Sequence, residues 1–508
     1  MAKPKPIIIT KARKKPYLGT AKADVFEIPK TVKAKVKKIA INSLGGDDTI
    51  TVLGGTGHKL NTGAGNDKVF LKKGNGHTVT LGTAKKKNTV TVSAGTGHTI
   101  KGSTKADELK ITAGTVKKAT LGKGNDIINV SKKGKLTTLD AGIGNNKLTV
   151  SGSGFVNKAT FGKGNDTINV NGGTINDLNV GAGNNTLTVT KGTVKVTGGN
   201  LSFVDCTAAG NLIISGGSVG KINGDGKVTI TGGSVPEING TDKDDVISVS
   251  NQKSVTINAG NGKNVITVNG IDGNSASNAS SGSINAGSGA DSITINTGGF
   301  YQIRSGADND TININGGSSR IFTGEGNDTI KLNSNQANMV DAGSGSDTIT
   351  LSGSSENNYI MGYSGDDTII VNNAKQNLVV GGAGNDTYVI NDVNSHVIID
   401  NGTAHGANDN DVLKINTSSS GKTLTDLMDS EVKYDDTNDI LKCRDFYVVG
   451  FSKLSTVTDS TEAFSYNVNG VGGLMSILTY KIADKPDKYR GDFSSIMTNM
   501  TTIRNSWS

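Results

Sequence analysis

Too few aromatic residues are present to fill a large conventional core: Phe, Trp and Tyr make up 4% of the 508 residues, with a single Trp. Cysteine is nearly missing. Cys206 and Cys443 stand far apart in the chain, which excludes a disulfide framework and a zinc site of clustered ligands. One bridge between them and two thiols are both compatible with the sequence. Long apolar runs are missing too. Stretches such as Ile7-Ile8-Ile9 fall far short of the ~20 residues that a membrane-spanning helix needs, and none could form a pore. No apolar stretch of the kind that follows the basic start of a secretory signal is found after the N-terminal lysines. His-Glu-x-x-His does not occur, which excludes that metalloprotease motif.

What the chain does have is glycine, 70 residues of it, together with abundant Asn, Thr and Asp and regularly placed Ile and Val. That mixture points to many short strands joined by tight turns rather than to disorder. Charge is split along the chain. Residues 1–150 carry 29 Lys+Arg against 9 Asp+Glu, about +20; the remainder carries 24 against 36, or −12. A basic first part beside an acidic second part suggests two different ionic partners.

A repeat decides the fold class. Gly-x-Gly-x-Asp-x-apolar-x-apolar is read at Gly122-Lys-Gly-Asn-Asp126-Ile-Ile-Asn-Val, at Gly162-Lys-Gly-Asn-Asp166-Thr-Ile-Asn-Val and at Gly324-Glu-Gly-Asn-Asp328-Thr-Ile-Lys-Leu. Asp291, Asp310, Asp328, Asp347, Asp367 and Asp386 follow one another at spacings of 19, 18, 19, 20 and 19. Weaker copies place Asn88, Asn146, Asn185 and Asn264 at the Asp position. After each Asp the residues alternate, as in Thr167-Ile168-Asn169-Val170, the period of a strand with one buried face. A second strand follows before the next motif, as in Thr174–Val180. Each unit of about 19 residues is then one rung of two strands and two turns, and only stacking can bury its apolar side chains. The expected fold is all-β: a parallel β-roll or β-solenoid of about 18 rungs over residues 44–411, roughly 85–90 Å long at ~4.8 Å per rung. Residues 1–43 precede it as a Lys-rich segment with a degenerate first rung at Gly19–Ile28. Residues 412–508 lose the repeat and read as a small C-terminal cap.

Turns stacked on one edge present carboxylates and backbone carbonyls in register. Oxygens from two rungs can enclose a hard cation, and Ca²⁺ takes six to eight oxygen ligands in flexible geometry. The candidate ligands are Asp67, Asp107, Asp126, Asp166, Asp245, Asp291, Asp310, Asp328, Asp347, Asp367 and Asp386, with the turn glycines Gly287, Gly289, Gly324, Gly326, Gly343, Gly345, Gly382 and Gly384. The plainer reading is that Gly, Asn and Asp simply suit tight corners. It weighs most where Asn replaces Asp.

These motifs resemble the haemolysin-type calcium-binding repeats of the repeats-in-toxin proteins, over about 360 of the 508 residues. The resemblance implies a calcium-filled parallel β-roll, several bound Ca²⁺ ions, and secretion by an ABC-type (type I) exporter that reads an uncleaved signal within residues 412–508. One departure is the strong motif at every second nonapeptide, which implies calcium along one edge only. The one-edge form is also similar to the ice-binding segment of a giant bacterial adhesin, but the residue between the glycines varies (Ala64, Lys123, Ile143, Lys163, Glu325) where an ice face needs a regular row.

The basic flank, with Lys11, Arg13, Lys14, Lys15, Lys35, Lys37 and Lys38, reads either as a contact for an anionic cell-surface polymer or as a solvated tail. His58, His77 and His98 each follow a Gly-x-Gly and should stack on the edge opposite the Asp column. There they would be a site for metal or pH sensing, or merely duplicated turn residues. Gly216-Gly-Ser218-Val-Gly220 matches a hydrolase nucleophile elbow, yet its sister Gly232-Gly-Ser-Val-Pro236 lacks one. The expectation is a secreted, non-enzymatic, structural or adhesive component of the extracellular surface, with self-association left open. The alternative is an effector or enzyme-associated module acting through residues 412–508.

Overall fold

In a computed structural model, the described residues are 5–11, 15–30, 38–252, 254–269, 281–296, 299–333, 338–353, 355, 357–374, 377–392, 397–400 and 410–416, followed by five strands between 432 and 467. They form an all-β parallel solenoid of about 18 turns spaced ~19 residues apart. The chain divides into two compact units, Met1–Asn239 and Gly240–Ser508. Among the described residues no helix is long and apolar enough to cross a membrane.

In the first unit, Thr49–Val52 pairs in parallel with Lys68–Leu71, then come Asn88–Val92, Asp107–Ile111, Ile127–Val130 and Lys147–Ser151. The companion strands Lys59–Asn61, Thr78–Thr80, His98–Lys101, Thr115–Thr120, Lys135–Gly142 and Phe155–Phe161 stack in the same way. Stacking also reaches below residue 44: Val25–Ile28 pairs with Thr49–Val52, and Ile7–Ile8 with Phe26–Glu27.

Alternation fixes what is buried. Ile50, Val69, Val90, Leu109, Ile128, Leu148 and Ile168 lie in one register position and are all essentially inaccessible. The residues between them face outward and are mostly Thr, Lys and Asn. A fully buried aliphatic side chain contributes about 1.5–3 kcal/mol, so one rung holds little by itself and the stack holds much. β-branched Ile and Val suit such a pleated surface and fill most of the columns, with few aromatics such as Phe26, Tyr301 and Tyr388 buried among them.

The second unit repeats the plan. Ser292–Ile295, Thr311–Ile314, Thr329–Leu332, Thr348–Leu351, Thr368–Val371 and Thr387–Ile390 stack with no register shift. Beyond Ile415 the pattern changes. Val397–Asp400 and Asp411–Ile415 still pair in parallel, with Phe446–Val449 and Leu454–Asp459. Those two strands then join antiparallel neighbours, Ile440–Cys443 and Phe464–Asn467.

The ladder does not stop at the turns. Ile143 N–H donates to Gly122 O, and Gly124 N–H donates back to Ile143 O; Ser344 N–H and Gly326 N–H do the same with Gly324 O and Ser344 O. The two glycines of the motif frame this bond pair. At Gly345 (φ +129°) a Cβ would sit 2.0 Å from Gly326 O of the rung below. The motif therefore needs glycine for close backbone approach as well as for positive φ.

Candidate cation site along the aspartate column

The column aspartates do not point out from the edge. They turn inward and are buried, and in all but Asp107 and Asp245 Oδ1 accepts the backbone N–H of the column residue one rung earlier. In the first unit Asp48 N–H donates to Asp67 Oδ1 (2.9 Å) and Asp107 N–H to Asp126 Oδ1 (2.7 Å). In the second unit the bonds run unbroken from Asp291 through Asp310, Asp328, Asp347 and Asp367 to Asp386, at 2.7–2.9 Å. One carboxylate oxygen thus replaces the ladder acceptor that the corner would otherwise lack.

The other oxygen carries the chemistry. Oδ2 of Asp48, Asp67, Asp126, Asp166, Asp291, Asp310, Asp328, Asp347 and Asp367 is buried and receives no hydrogen bond. Ser305 and Thr323 hydroxyls lie near Asp310 and Asp328, but each spends its proton on a backbone carbonyl, Thr323 O and Ala342 O. A buried carboxylate oxygen without a donor is costly. Burial accordingly pushes these groups up: Asp48 and Asp291 to about 6, Asp126, Asp310 and Asp347 to about 7. Asp367 reaches about 8, through burial first and then the carboxylates of Asp386, Asp347 and Asp366. Either a proton or a cation relieves such an oxygen.

The asparagine rungs show what surrounds it. Asn264 keeps Oδ1 in the ladder, accepting Asp245 N–H at 3.0 Å, and its Nδ2 donates to Gly260 O, Gly262 O and Ala286 O at 3.2, 3.1 and 3.1 Å. Asn146 Nδ2 reaches Gly144 O at 3.0 Å and Gly142 O at 3.4 Å. In an aspartate rung the same place holds an oxygen, so an acceptor faces the carbonyls of the two motif glycines. At Asp367 the convergence is direct: a Cβ on Gly362 would lie 2.2 Å from Asp367 Oδ2 and 2.4 Å from Gly381 O. Carboxylate and carbonyl oxygens with no nitrogen or sulfur suit a hard cation such as Ca²⁺. Among the described residues no group of three or more His, Cys, Asp or Glu side chains gathers as a metal cluster; any ion here would rest on one or two carboxylates plus main chain.

All eleven sequence-derived aspartates lie in the column and are buried, and all eight candidate glycines have positive φ. Two of the aspartates differ from the rest. Asp107 Oδ2 accepts Ser103 N–H (2.6 Å), and Asp245 Oδ2 accepts Thr241 N–H (2.9 Å). Of the candidate surface cations, Lys11, Lys15 and Lys38 are exposed, while Arg13, Lys14, Lys35 and Lys37 lie outside the described residues. Cys206 is buried; the side chain of Cys443 lies outside the described residues. Ser218 belongs to a two-residue strand whose neighbours are Asn200 and Ser234, a rung and not the strand–turn–helix of a nucleophile elbow.

The opposite turns carry the histidines. Their rings stack at 4.7 and 5.1 Å, and each Nδ1 accepts a backbone N–H from the rung before: Ile39 to His58, His58 to His77, His77 to His98. Nδ1 must be unprotonated to accept. Burial lowers all three, and His77, between two other imidazoles, falls to about 3. A depressed histidine gives stability that is whole above the unfolded value of ~6.5 and is lost as pH falls toward the folded one. With calcium held constant, the histidines should pull the melting temperature of the first unit down between pH 6.5 and 4, against the gain from protonating Asp48 and Asp126. In His77→Asn, which keeps a ladder acceptor, the drop should be smaller. Equal slopes would clear the imidazoles of that role.

Sequence reasoning missed a second column on that side. Asn338 N–H and Nδ2 both donate to Asn358 Oδ1, and Asn358 does the same to Asn377. The signal was there, Asn at spacings of 20 and 19 before each second strand, without flanking glycines to mark it. Exposed Asn315 bridges Asn296 and Asn333 in a third ladder on the outer face. Comparison of the chain with protein-family models, curated proteins and solved structures finds no match.

Proposed function

We propose that this chain is a secreted calcium-binding repeat protein, a structural or adhesive component of the cell surface that becomes rigid on meeting calcium outside the cell. The observation that carries the reading is the run of buried Oδ2 atoms without donors in successive rungs. Calcium, when bound, supplies the positive charge that those oxygens lack. The chain's own part is to hold each carboxylate at fixed height by its Oδ1 ladder bond, to turn glycine carbonyls toward it, and to exclude water. Export by an ABC-type system follows from the resemblance of the repeats, and its signal would fall within residues 412–508. No catalytic step is assigned to the chain. The effector or enzyme-associated alternative needs residues 412–508, and nothing among the described residues favours it.

Two tests separate the parts. Asp328→Ala and Asn185→Ala each remove one ladder acceptor, from Asp310 N–H and Asp166 N–H, worth about 1–3 kcal/mol when buried. Only the first should also lower the number of bound calcium ions, measured by equilibrium dialysis; equal ion counts would sink the calcium assignment. For the surface, the excess of about +20 in residues 1–150 should hold the protein to anionic polymer, more weakly as salt screens it. Fractionation should recover it with cells at low salt, and high salt should release it. Recovery wholly in the supernatant at low salt with calcium present would end the surface reading.

A further inference from the structure

The column sorts its rungs into three classes by how the inner atom of the side chain is satisfied. In the first, Asn supplies an amide, and carbonyls accept from it, as at Asn146, Asn185 and Asn264. Asn185 Nδ2 reaches Val180 O at 2.9 Å and Asn200 O at 2.8 Å. In the second class the carboxylate is closed by its own turn. Asp24, Asp107 and Asp245 each have Thr or Ser four residues earlier, and that residue's backbone N–H donates to Oδ2: Thr20 at 2.6 Å, Ser103 at 2.6 Å, Thr241 at 2.9 Å. Asp107 is closed twice, since Asn88 Nδ2 donates to its Oδ1 at 3.0 Å. In the third class the residue at that position is neither Ser nor Thr: Gly162, before Asp166, lacks positive φ, while six others, Gly287, Gly306, Gly324, Gly343, Leu44 and Tyr363, have it. None of these six donates to the carboxylate, and Oδ2 stays bare.

We propose that only the third class takes an ion, and that the Asn and Ser/Thr rungs are built-in substitutes in which an N–H stands where the cation would be. This rests on the calcium reading above and sharpens it: two positions, the column residue and the residue four before it, decide whether a rung depends on metal. The sorting has a spatial result. The second unit holds five consecutive open rungs, Asp291 to Asp367. The first unit interrupts its open rungs with substitutes at residues 88, 107, 146 and 185. Residues 1–239 therefore hold together at calcium levels that leave the 291–367 stretch loose.

The test counts ions on the full-length protein by native mass spectrometry and by calcium equilibrium dialysis, with circular dichroism as the check on folding. Asn264→Asp exchanges an amide for a bare oxygen and should bind one ion more than wild type. Asp310→Asn should bind one fewer and depend less on calcium for its β signal. Asp107→Asn should leave the count unchanged. A wild type that binds no calcium refutes the calcium reading itself. A wild type that binds, with Asn264→Asp gaining none or Asp107→Asn losing one, refutes the sorting alone.

Discussion

In millimolar calcium the chain should show a full β spectrum by circular dichroism, and in excess chelator at pH 8 much of that signal should vanish. Five backbone N–H to carboxylate ladder bonds join Asp291 to Asp386, and each marks a gap with an aspartate on both sides. A ligand present at 100 times its dissociation constant contributes about 2.7 kcal/mol per independent site, so five such sites come to about 13.5 kcal/mol. That is the size of a whole domain's stability, and the second unit cannot lose it and keep its stack. Acid offers a partial substitute. Carboxyls raised by burial to between about 6 and 8 contribute stability in full below the unfolded value near 3.9, and lose it as pH rises through 6–8. Chelated protein should thus be more ordered at pH 5 than at pH 8. Matching β spectra with and without calcium at pH 8 would defeat the proposal.

The glycine turns give the second large effect. Gly345→Ala forces a Cβ to within 2.0 Å of Gly326 O, at φ +129°, and neither backbone can retreat without breaking the bond pair that the turn makes with its neighbours. The loss should exceed 4 kcal/mol, on the order of the largest single-substitution effects. Gly353 is the matched control. It too has positive φ, +65°, but nothing lies within 4 Å of a Cβ built there, so Gly353→Ala should cost only about 1–2 kcal/mol, the left-handed penalty. Denaturant midpoints in calcium would read the difference. Similar losses at the two sites would mean that backbone conformation, and not the approach of the next rung, explains the glycines.

How much of this was legible depended on the kind of signal. The period from Asp291 to Asp386 and the Ile/Val alternation disclosed the strands, their parallel stacking and the column, because all of them repeat. The inward turn of the aspartates was not legible. A Gly-x-Gly-x-Asp string is equally compatible with a carboxylate aimed at solvent, and only the ladder geometry shows Oδ1 serving as a main-chain acceptor. Nor did the sequence separate Asp107 and Asp245 from the other aspartates. Their distinction rests on Ser103 and Thr241, whose hydroxyl-bearing side chains draw the eye although it is their backbone N–H groups that act. The Asn338–Asn358–Asn377 column stayed hidden for the converse reason, since it repeats without any glycine to announce it.

The ladder bonds all run one way: a column residue gives its N–H to the rung after it and accepts from the rung before. The two ends of a broken stack are therefore unequal. A cut that removes rungs from the N-terminal side leaves behind a carboxylate oxygen, which water solvates readily. A cut that removes rungs from the C-terminal side leaves a main-chain donor stranded at a buried corner, and that rung must open to wet it. Fraying should accordingly run further back from a C-terminal break than forward from an N-terminal one, so that the stack wears from one end, like a rope with a single whipped tip.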